Sequence, residues 1–399
     1  MPKSVTEVRT DMPFLKDLVY LDSASVVPCP SPVLKAMDDY LYEHPFNYGV
    51  GVFTRSVRAA ERVDEARRII AKAIGARSEK EVVFTKNTTE AINTVAHGLA
   101  WRPGDEIVLT TLEHQSNVIP WMMAAREHGA RVKFVRADAS GLVDPEDIRR
   151  AIGPSTRLVA CTHVSNVFGT IQPVKEATRI ARDKGVLSLV DAAQSAGRIP
   201  VRVDDIGCDF VTFCGRKALM GPQGTGFLWG RLELLRGLEP LTTGSRAANV
   251  KNEDTFELSE PPYKFEAGVL NTPGVIGLGK AVLYIEEIGY DDIIGHIRQL
   301  TQQMLNILHG VPGVVVHGSD ALEYQAGIVS WNVSGMDPHD VARGLDRIAN
   351  VAVASGAQGS LLGIRAHAVD SVVRTSVHYY NTPEDIETFG QALRELLAR

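Results

Sequence analysis

Lys217 is the residue in this sequence with the clearest potential for covalent chemistry. It follows an apolar run at residues 210–214 and precedes the glycine-rich stretch 221–226. A lysine amine on a rigid support can form a Schiff base, and small neighbouring residues let a bound group approach the backbone closely. An isolated lysine near glycines is more often part of an ordinary surface loop, so the assignment depends on a second segment.

That second segment is Leu187–Asp191, an apolar run that ends in an acid. Pyridoxal phosphate (PLP) acts as an electron sink only while its pyridine nitrogen is protonated, and a partly buried carboxylate beside that nitrogen favours the charged form. The alternative is a strand-end carboxylate that caps the next helix. Lys217 and Asp191 together predict a PLP site, in which Gln194 donates a hydrogen bond to the phenolic oxygen of the cofactor.

Three other segments could complete such a site. Thr88 and Thr89 open a predicted helix, where backbone N–H groups and hydroxyls form an anion site suited to a phosphate. A plain helix cap explains this segment about equally well. His114 could stack on the pyridine ring, although a single histidine is more often a hydrogen-bonded loop residue. Asn166 could reach the cofactor's oxygen or the substrate.

These residues lie in a stretch whose hydrophobic pattern predicts an α/β fold. From about residue 80, short β-branched runs alternate with longer amphipathic segments, which is typical of helices wound around a largely parallel sheet. The predicted strands are 81–85, 106–111, 131–136, 158–163, 187–191, 210–214 and 225–229. The predicted helices include 55–74, 121–129 and 174–185.

The pattern changes after about residue 275. One long helical segment extends to His309 and is followed by short predicted strands at 314–317, 327–333, 351–354 and 372–377. Thr382 and Pro383 then have the residue types that cap and open a final helix. We therefore predict a large domain at 16–275 and a small α+β domain formed by 1–15 and 276–399.

Composition excludes several classes of function. The 42 Lys and Arg against 48 Asp and Glu give a net charge of -6, and no dense basic run indicates nucleic-acid binding. The N-terminus lacks a signal-peptide pattern and no stretch is apolar enough to span a membrane, so we expect a cytoplasmic protein. The four cysteines have no CxxC spacing, and neither disulfides nor a metal site is expected.

The order of the motifs also carries a family resemblance. The motifs are 20–24, 88–90, 113–114, 119–121, 162–169, 190–194, Lys217, 221–222 and 380–382. Nearly the whole chain thereby resembles the class V aminotransferase group of fold-type I PLP enzymes, and within it the group II cysteine desulfurases and selenocysteine lyases. The resemblance implies a homodimer whose large domain has a mainly parallel seven-stranded sheet, with a smaller α+β C-terminal domain.

The resemblance also implies roles for individual residues. Lys217 would hold PLP as a Schiff base and act as general base, and His114 is the second predicted catalytic residue, stacked on the ring. Asp191 would lie on the pyridine nitrogen, Gln194 on the phenolic oxygen and Thr89 on the phosphate. Arg374 matches the arginine that binds the substrate α-carboxylate, a role that suits a guanidinium; the alternative is an ordinary surface arginine.

The resemblance breaks at the position that carries the sulfur chemistry. The desulfurases use a nucleophilic cysteine on a loop of the small domain, and Gly359 occupies the matching position here. The stretch from Gly359 to Arg374 keeps the family's spacing, which indicates a substitution. This loop therefore has no cysteine to form a persulfide.

Further departures surround the expected cofactor. Cys214 falls where the family usually has a phosphate-binding serine, and Arg216 replaces a histidine and could bind the phosphate as a fixed cation. Val269 stands where a neighbouring subunit usually offers a threonine to the phosphate. Gly49 and Val50 replace a His-Arg pair near the active site.

These observations predict an enzyme that acts on an amino acid and favour a C–S or related β-lyase. The alternatives are a class V aminotransferase or epimerase, and a cysteine desulfurase that passes sulfur to an external thiol, for example on a sulfur-acceptor protein. A non-catalytic partner in sulfur or iron–sulfur assembly is a third class, which retention of Lys217 and Asp191 disfavours.

Overall fold

The computed structural model describes residues 2–48 and 51–399, so the two positions Gly49 and Val50 lie outside the described residues. The strands are β1 (Val19–Tyr20), β2 (Val82–Thr85), β3 (Glu106–Thr110), β4 (Arg131–Val135), β5 (Thr156–Thr162), β6 (Leu187–Asp191), β7 (Phe210–Cys214), β8 (Gly226–Gly230), β9 (Ala248–Val250), β10 (Phe256–Leu258), β11 (Val314–His317), β12 (Ile328–Val333), β13 (Val351–Ala352), β14 (Ala354–Gly356) and β15 (Val372–Ser376).

The helices surround these strands. They are α1 (Val5–Thr10), α2 (Ser31–Glu43), α3 (Thr54–Ile74), α4 (Thr88–Gly98), α5 (Ile119–His128), α6 (Pro145–Ala151), α7 (Val174–Asp183), α8 (Val203–Ile206), α9 (Leu232–Gly237), α10 (Thr272–Ile288), α11 (Tyr290–His309), α12 (Pro338–Ala349), α13 (Leu361–Arg365) and α14 (Pro383–Ala398). Short 3-10 helices occupy Pro13–Asp17, Glu79–Glu81, Gln115–Asn117, Tyr263–Phe265 and Leu322–Tyr324.

The large sheet has seven strands in the order β2-β8-β7-β6-β5-β3-β4. Strand β8 is antiparallel to both of its neighbours, and the pairs from β7 to β4 are parallel. Helices cover both faces of such a sheet, which explains why the central strands are apolar without alternation. This arrangement confirms the predicted mainly parallel seven-stranded sheet.

The register of the central strands places polar residues together at one edge. Thr162 at the end of β5 is opposite Asp191 at the end of β6, and Asp191 is opposite Thr212 in β7. In open α/β sheets the carboxyl ends of neighbouring parallel strands meet at one edge, where ligands bind. The loops that follow β3, β5, β6 and β7 therefore converge at this edge.

A second, antiparallel sheet has the order β11-β12-β15-β14. Helices α11, α12 and α14 pack on it around a separate apolar core that includes Trp331 and Phe389. Thr382 caps α14 through a capping box, and Pro383 is its first residue, as the sequence indicated. The α+β character predicted for the C-terminal region is thus present.

Two predicted elements are divided in the structure. The long helical segment before His309 is two helices, α10 and α11, because the chain turns at Gly289 with φ +93°. The strand predicted at 351–354 is β13, which pairs with β1, and β14, which pairs with β15. Residue 275 lies inside α10, and the division into domains at this residue remains a prediction.

The N-terminal segment connects the two sheets. Strand β1 pairs with β13, and Asp22 forms a parallel bridge with Ser376 at the end of β15. Residues 22–25 therefore lie beside β15, the strand that carries Arg374. Over residues 2–48 and 51–399, the structure contains no helix with the length and apolarity needed to traverse a bilayer.

Candidate active site

A cavity of about 280 Å³ lies at the carboxyl edge of the large sheet. The predicted site residues that line it are Thr88, Thr89, His114, Asn166, Asp191, Gln194, Cys214, Arg216, Lys217 and Arg374. Residues to which the sequence assigned no individual role also line it, namely Ala24, Ser25, Asn87, Ser116, Thr162, Ala193 and Gln358. All the predicted side chains are therefore brought to one place from six separate segments of the chain.

Lys217 lies in the tight turn between β7 and β8. The Gly215 N–H donates to the Thr225 carbonyl at 2.9 Å, and a Cβ at position 215 would lie 2.2 Å from the Thr225 Oγ1. The turn therefore needs glycine there to hold the lysine on a rigid mount. Burial lowers the pKa of Lys217, with Cys214 and Asp191 opposing that shift. A lowered pKa increases the fraction of neutral, nucleophilic amine.

Asp191 is buried at the end of β6. Its Oδ1 accepts a hydrogen bond from the Ala193 N–H at 2.8 Å. Burial raises the pKa of its carboxyl, while the charge of Lys217 lowers it. A turn, and not a helix, follows Asp191, so the alternative role as a helix cap does not apply.

The N-terminus of α4 forms another wall of the cavity. Asn87 is the N-cap, and its Oδ1 accepts from the Glu90 N–H at 2.9 Å. Thr89 donates to the Ser116 Oγ at 2.9 Å, whereas within the described chain the buried Thr88 Oγ1 has no hydrogen-bond partner. Because Asn87 caps the helix, the unpartnered Thr88 hydroxyl is available to an anion at this terminus, and Thr89 lies beside it.

His114 is held in a defined orientation and is neutral. Its Nδ1 accepts from the Ser116 N–H at 3.1 Å, so the ring proton lies on Nε2. Burial lowers the pKa of His114 to about 4, and the charge of Lys217 acts in the same direction. A neutral ring can stack on an aromatic cofactor without placing a second cation beside Lys217.

Gln194 and Arg216 both contact the N-terminal segment. Gln194 Nε2 donates to the Ala24 carbonyl at 2.9 Å, and its buried Oε1 has no partner among the residues described. Arg216 Nη1 donates to the Ser25 carbonyl at 2.8 Å. The amide keeps a second N–H for the predicted contact with a cofactor oxygen.

Arg374 is almost fully buried in β15 and is held from two sides. Its Nη1 donates to the Asn166 carbonyl at 2.9 Å, and its Nη2 contacts Asp22 at 3.0 Å and Ser25 Oγ at 2.6 Å. Burial lowers its pKa, and Asp22 opposes that shift. The alternative of an exposed surface arginine is wrong, because Arg374 is only 3% exposed.

Cys214 lines the cavity, whereas Cys161 and Cys208 are buried in the large-domain core. Burial raises the pKa of both core thiols, and it raises the pKa of Cys29 to about 11. A raised pKa keeps a thiol protonated and unreactive at neutral pH.

Val269 lies outside this cavity. It is 72% exposed and lines a different cavity of about 700 Å³ beside α4.

Ser25 and Gln358, which the sequence did not single out, are neighbours of segments that it did. Ser25 directly follows the 20–24 motif, and Gln358 precedes Gly359.

Comparison with known proteins places the chain in a family. Residues 19–389 match the family model of the class-V aminotransferases. The chain belongs to the class-V aminotransferase family. It is a PLP-dependent enzyme and resembles cysteine desulfurases.

Relatives are similar over nearly their full lengths. A probable cysteine desulfurase of Methanothermobacter thermautotrophicus is 45% identical over 98% of this chain and 97% of its own length. A probable cysteine desulfurase of Pyrococcus abyssi is 37% identical over 98% and 97% of the two chains. The apo structure of the cysteine desulfurase of Thermococcus onnurineus NA1 is 38% identical, covers 100% of this chain and 99% of its own, and has a TM-score of 0.96.

Proposed function

We propose that this class-V aminotransferase family member is an amino-acid β-lyase, which releases a sulfur, selenium or related group from the Cβ of its substrate. One observation supports this most directly. The Lys217 amine and the Asp191 carboxylate share a buried cavity, while the loop at 357–360 has no thiol. A lyase needs the lysine and the carboxylate, and it does not need a thiol in this loop.

The residues present fit PLP. The buried Thr88 Oγ1 has no partner in the described chain and can donate to a phosphate oxygen. Gln194 Nε2 gives one N–H to Ala24 and keeps the other as a donor, and both residues line the cavity. In the proposed arrangement Lys217 holds the cofactor and Asp191 faces its pyridine nitrogen. Thr88, Thr89, Cys214 and Arg216 surround the phosphate, Gln194 contacts the phenolic oxygen, and His114 stacks on the ring. When bound, PLP withdraws electrons from the substrate Cα.

The chain's own groups would carry the proton and charge steps. The Lys217 amine, with its lowered pKa, removes the Cα proton at Nζ and can return it. Arg374 and Asn166 bind the α-carboxylate, since a guanidinium and an amide N–H complement its two oxygens. Loss of the group on Cβ then requires no nucleophile from the enzyme.

A panel of amino acids with the purified protein tests this function. We expect pyruvate and sulfide, or the corresponding product, from cysteine, cystine or S-substituted cysteines. Lys217→Ala abolishes this release and the absorbance band at about 420 nm that marks the lysine-bound cofactor. Lys251→Ala, which removes an exposed lysine paired with Glu257, leaves both unchanged. Absence of pyruvate and sulfide from every substrate would refute the lyase proposal.

The names of the relatives favour one second candidate, a cysteine desulfurase that uses an external thiol. This reaction would give alanine and transfer sulfur to the acceptor. Alanine production that requires added dithiothreitol or an acceptor protein would therefore replace the lyase proposal. Conversion of the cofactor to its pyridoxamine form by an amino acid would instead indicate an aminotransferase.

We also propose that the enzyme is a homodimer. Large apolar side chains are exposed on α2 and at the start of α3, namely Leu41, Tyr42, Phe53 and Val57. Val269, which lines the cavity of about 700 Å³, is exposed as well. A second copy of the chain would bury these groups. Light scattering after size exclusion tests this, and a monomer at micromolar concentration would contradict it.

A further inference from the structure

Residues 357–360, here called the Gly359 segment, connect β14 to α13 and close one side of the cofactor cavity through Gln358. Two consecutive residues have left-handed backbone, with φ of +52° at Gln358 and +70° at Gly359. A non-glycine residue adopts this conformation only where surrounding contacts compensate for its cost. The segment must therefore be held by specific contacts.

Three hydrogen bonds dock the segment on the loops after β3 and β5. The Gln115 N–H donates to the Gly359 carbonyl at 2.7 Å. Asn166 Nδ2 donates to the Gln358 carbonyl at 2.8 Å, and the Ser360 hydroxyl donates to Asn166 Oδ1 at 2.7 Å. The segment is thus fixed to both loops that supply predicted site residues.

This docking requires glycine at position 359. A Cβ there would lie 2.4 Å from the Nε2 and 2.8 Å from the Cδ2 of His114. The ring cannot move away freely, because its Nδ1 accepts from the Ser116 N–H. Any side chain at 359 therefore displaces either the segment or the histidine.

The same contacts orient the Asn166 amide. Ser360 donates to its oxygen, which forces Nδ2 to the other side, and one of the two N–H groups of Nδ2 contacts Gln358. The second N–H remains a donor. Nearby, Arg374 is anchored to the Asn166 carbonyl, and its buried Nε has no acceptor within the described residues. Two unused donors thus lie on neighbouring residues of the cavity wall.

We propose that the Gly359 segment is a positioning element for substrate recognition, in which Ser360 orients Asn166 toward the substrate α-carboxylate beside Arg374. Glycine at 359 is the condition for this docking. In the desulfurases that this chain resembles, this position carries a nucleophilic cysteine. In this chain, the glycine at the same position supports substrate binding instead. This inference rests on the proposed function, since it assumes an amino-acid substrate.

Hydrogen exchange on the purified full chain tests the docking directly. Gly359→Ala should increase exchange at the Gln115 amide at least about tenfold, because the hydrogen bond to residue 359 is lost. Gly335→Ala is the matched control, with a similar φ of +80° and open space around the added Cβ. Unchanged protection of Gln115 in Gly359→Ala would overturn the proposal.

Ligand binding tests the role of Ser360. L-alanine has no leaving group on Cβ, so its Kd can be measured from the cofactor absorbance. Ser360→Ala should raise this Kd about fivefold to tenfold, as expected for one lost hydrogen bond, with thermal stability nearly unchanged. Ser360→Thr should restore it. Ser355→Ala, whose hydroxyl contacts His339 at 2.8 Å, should bind as wild type does.

The two proposals fail in different ways. If the Kd for L-alanine rises in Ser360→Ala but the wild-type protein releases no product from any substrate, the lyase function fails and the role of Ser360 stands. If product is released but the Kd is unchanged in Ser360→Ala, the positioning role fails and the lyase function stands.

Discussion

Introducing a cysteine at the position where desulfurases carry one, through Gly359→Cys, should not give this enzyme desulfurase activity. Gly359 has φ +70°, and a Cβ would lie 2.4 Å from His114 Nε2. The new thiol therefore cannot occupy the docked segment. It can be accommodated only by moving the segment away from the cavity or by displacing the His114 ring.

The structure sets the size of the destabilisation. A non-glycine residue in left-handed backbone costs about 1–2 kcal/mol. Undocking would instead remove three hydrogen bonds, at about 0.5–1.5 kcal/mol each. Whichever change occurs, we expect the free energy of unfolding to fall by about 1–4.5 kcal/mol. Urea denaturation measures this loss, and Gly335→Cys, in open space at φ +80°, controls for the backbone cost alone.

The decisive assay is the product formed from cysteine. We expect Gly359→Cys to release no more alanine than wild type does, and to release less pyruvate because Asn166 is no longer oriented. Stoichiometric alanine, with a persulfide trapped on the new cysteine, would refute this reasoning. It would mean that the segment can present a thiol to the cavity despite the clash with His114.

Three further predictions concern buried ionisable side chains. Arg374→Lys should raise KM about tenfold or more with a smaller effect on kcat, because a single ammonium cannot reproduce the guanidinium contacts; steady-state kinetics measures this. Glu266→Gln should lower the free energy of unfolding by roughly 3 kcal/mol in urea, since Glu266 and Arg67 form a buried pair at 2.7 Å. Burial lowers the pKa of His378 to about 3. Below a pH of about 6.5 the unfolded chain therefore binds more protons than the folded chain, and the free energy of unfolding should fall as the pH decreases from about 6.5 toward about 4.

Each of these has a control or an outcome that would contradict it. Glu260→Gln breaks an exposed pair with Arg236 at 2.9 Å and should cost less than about 1 kcal/mol. An equal loss in both glutamine variants would contradict the burial argument. His378→Gln should flatten the pH slope of the unfolding free energy, and an unchanged slope would show that other groups cause it. A KM unchanged in Arg374→Lys would remove Arg374 from the substrate site.

Much of the site could be predicted because its chemistry is local in sequence. Lys217 and its glycine-rich turn, Asp191 at a strand end, and Thr88 at a helix start each carry a short-range signal. The mainly parallel sheet that joins them follows from alternation of helices and strands. The start of α14 was also predictable, because Thr382 and Pro383 have the residue types that cap and open a helix.

Other features depend on contacts between distant parts of the chain. Periodicity did not predict the break at Gly289, because buried apolar residues continue through both helices. The role of Ser25 depends on the Asp22 bridge to Ser376, which joins residues far apart in sequence. A local pattern carries no information about such a pairing.

Gly359 shows most clearly which features depend on the sequence alone and which depend on the tertiary structure. The sequence by itself determined that no thiol is available at this position, because that depends only on residue identity and spacing. Only the tertiary structure decided what the glycine does there. It brings the backbone of residue 359 against His114 and the side chain of Ser360 against Asn166. These contacts join distant segments of the chain, and Ser360 and Asn166 are 194 residues apart in the sequence. Such contacts arise from packing of the two sheets, which no local pattern specifies.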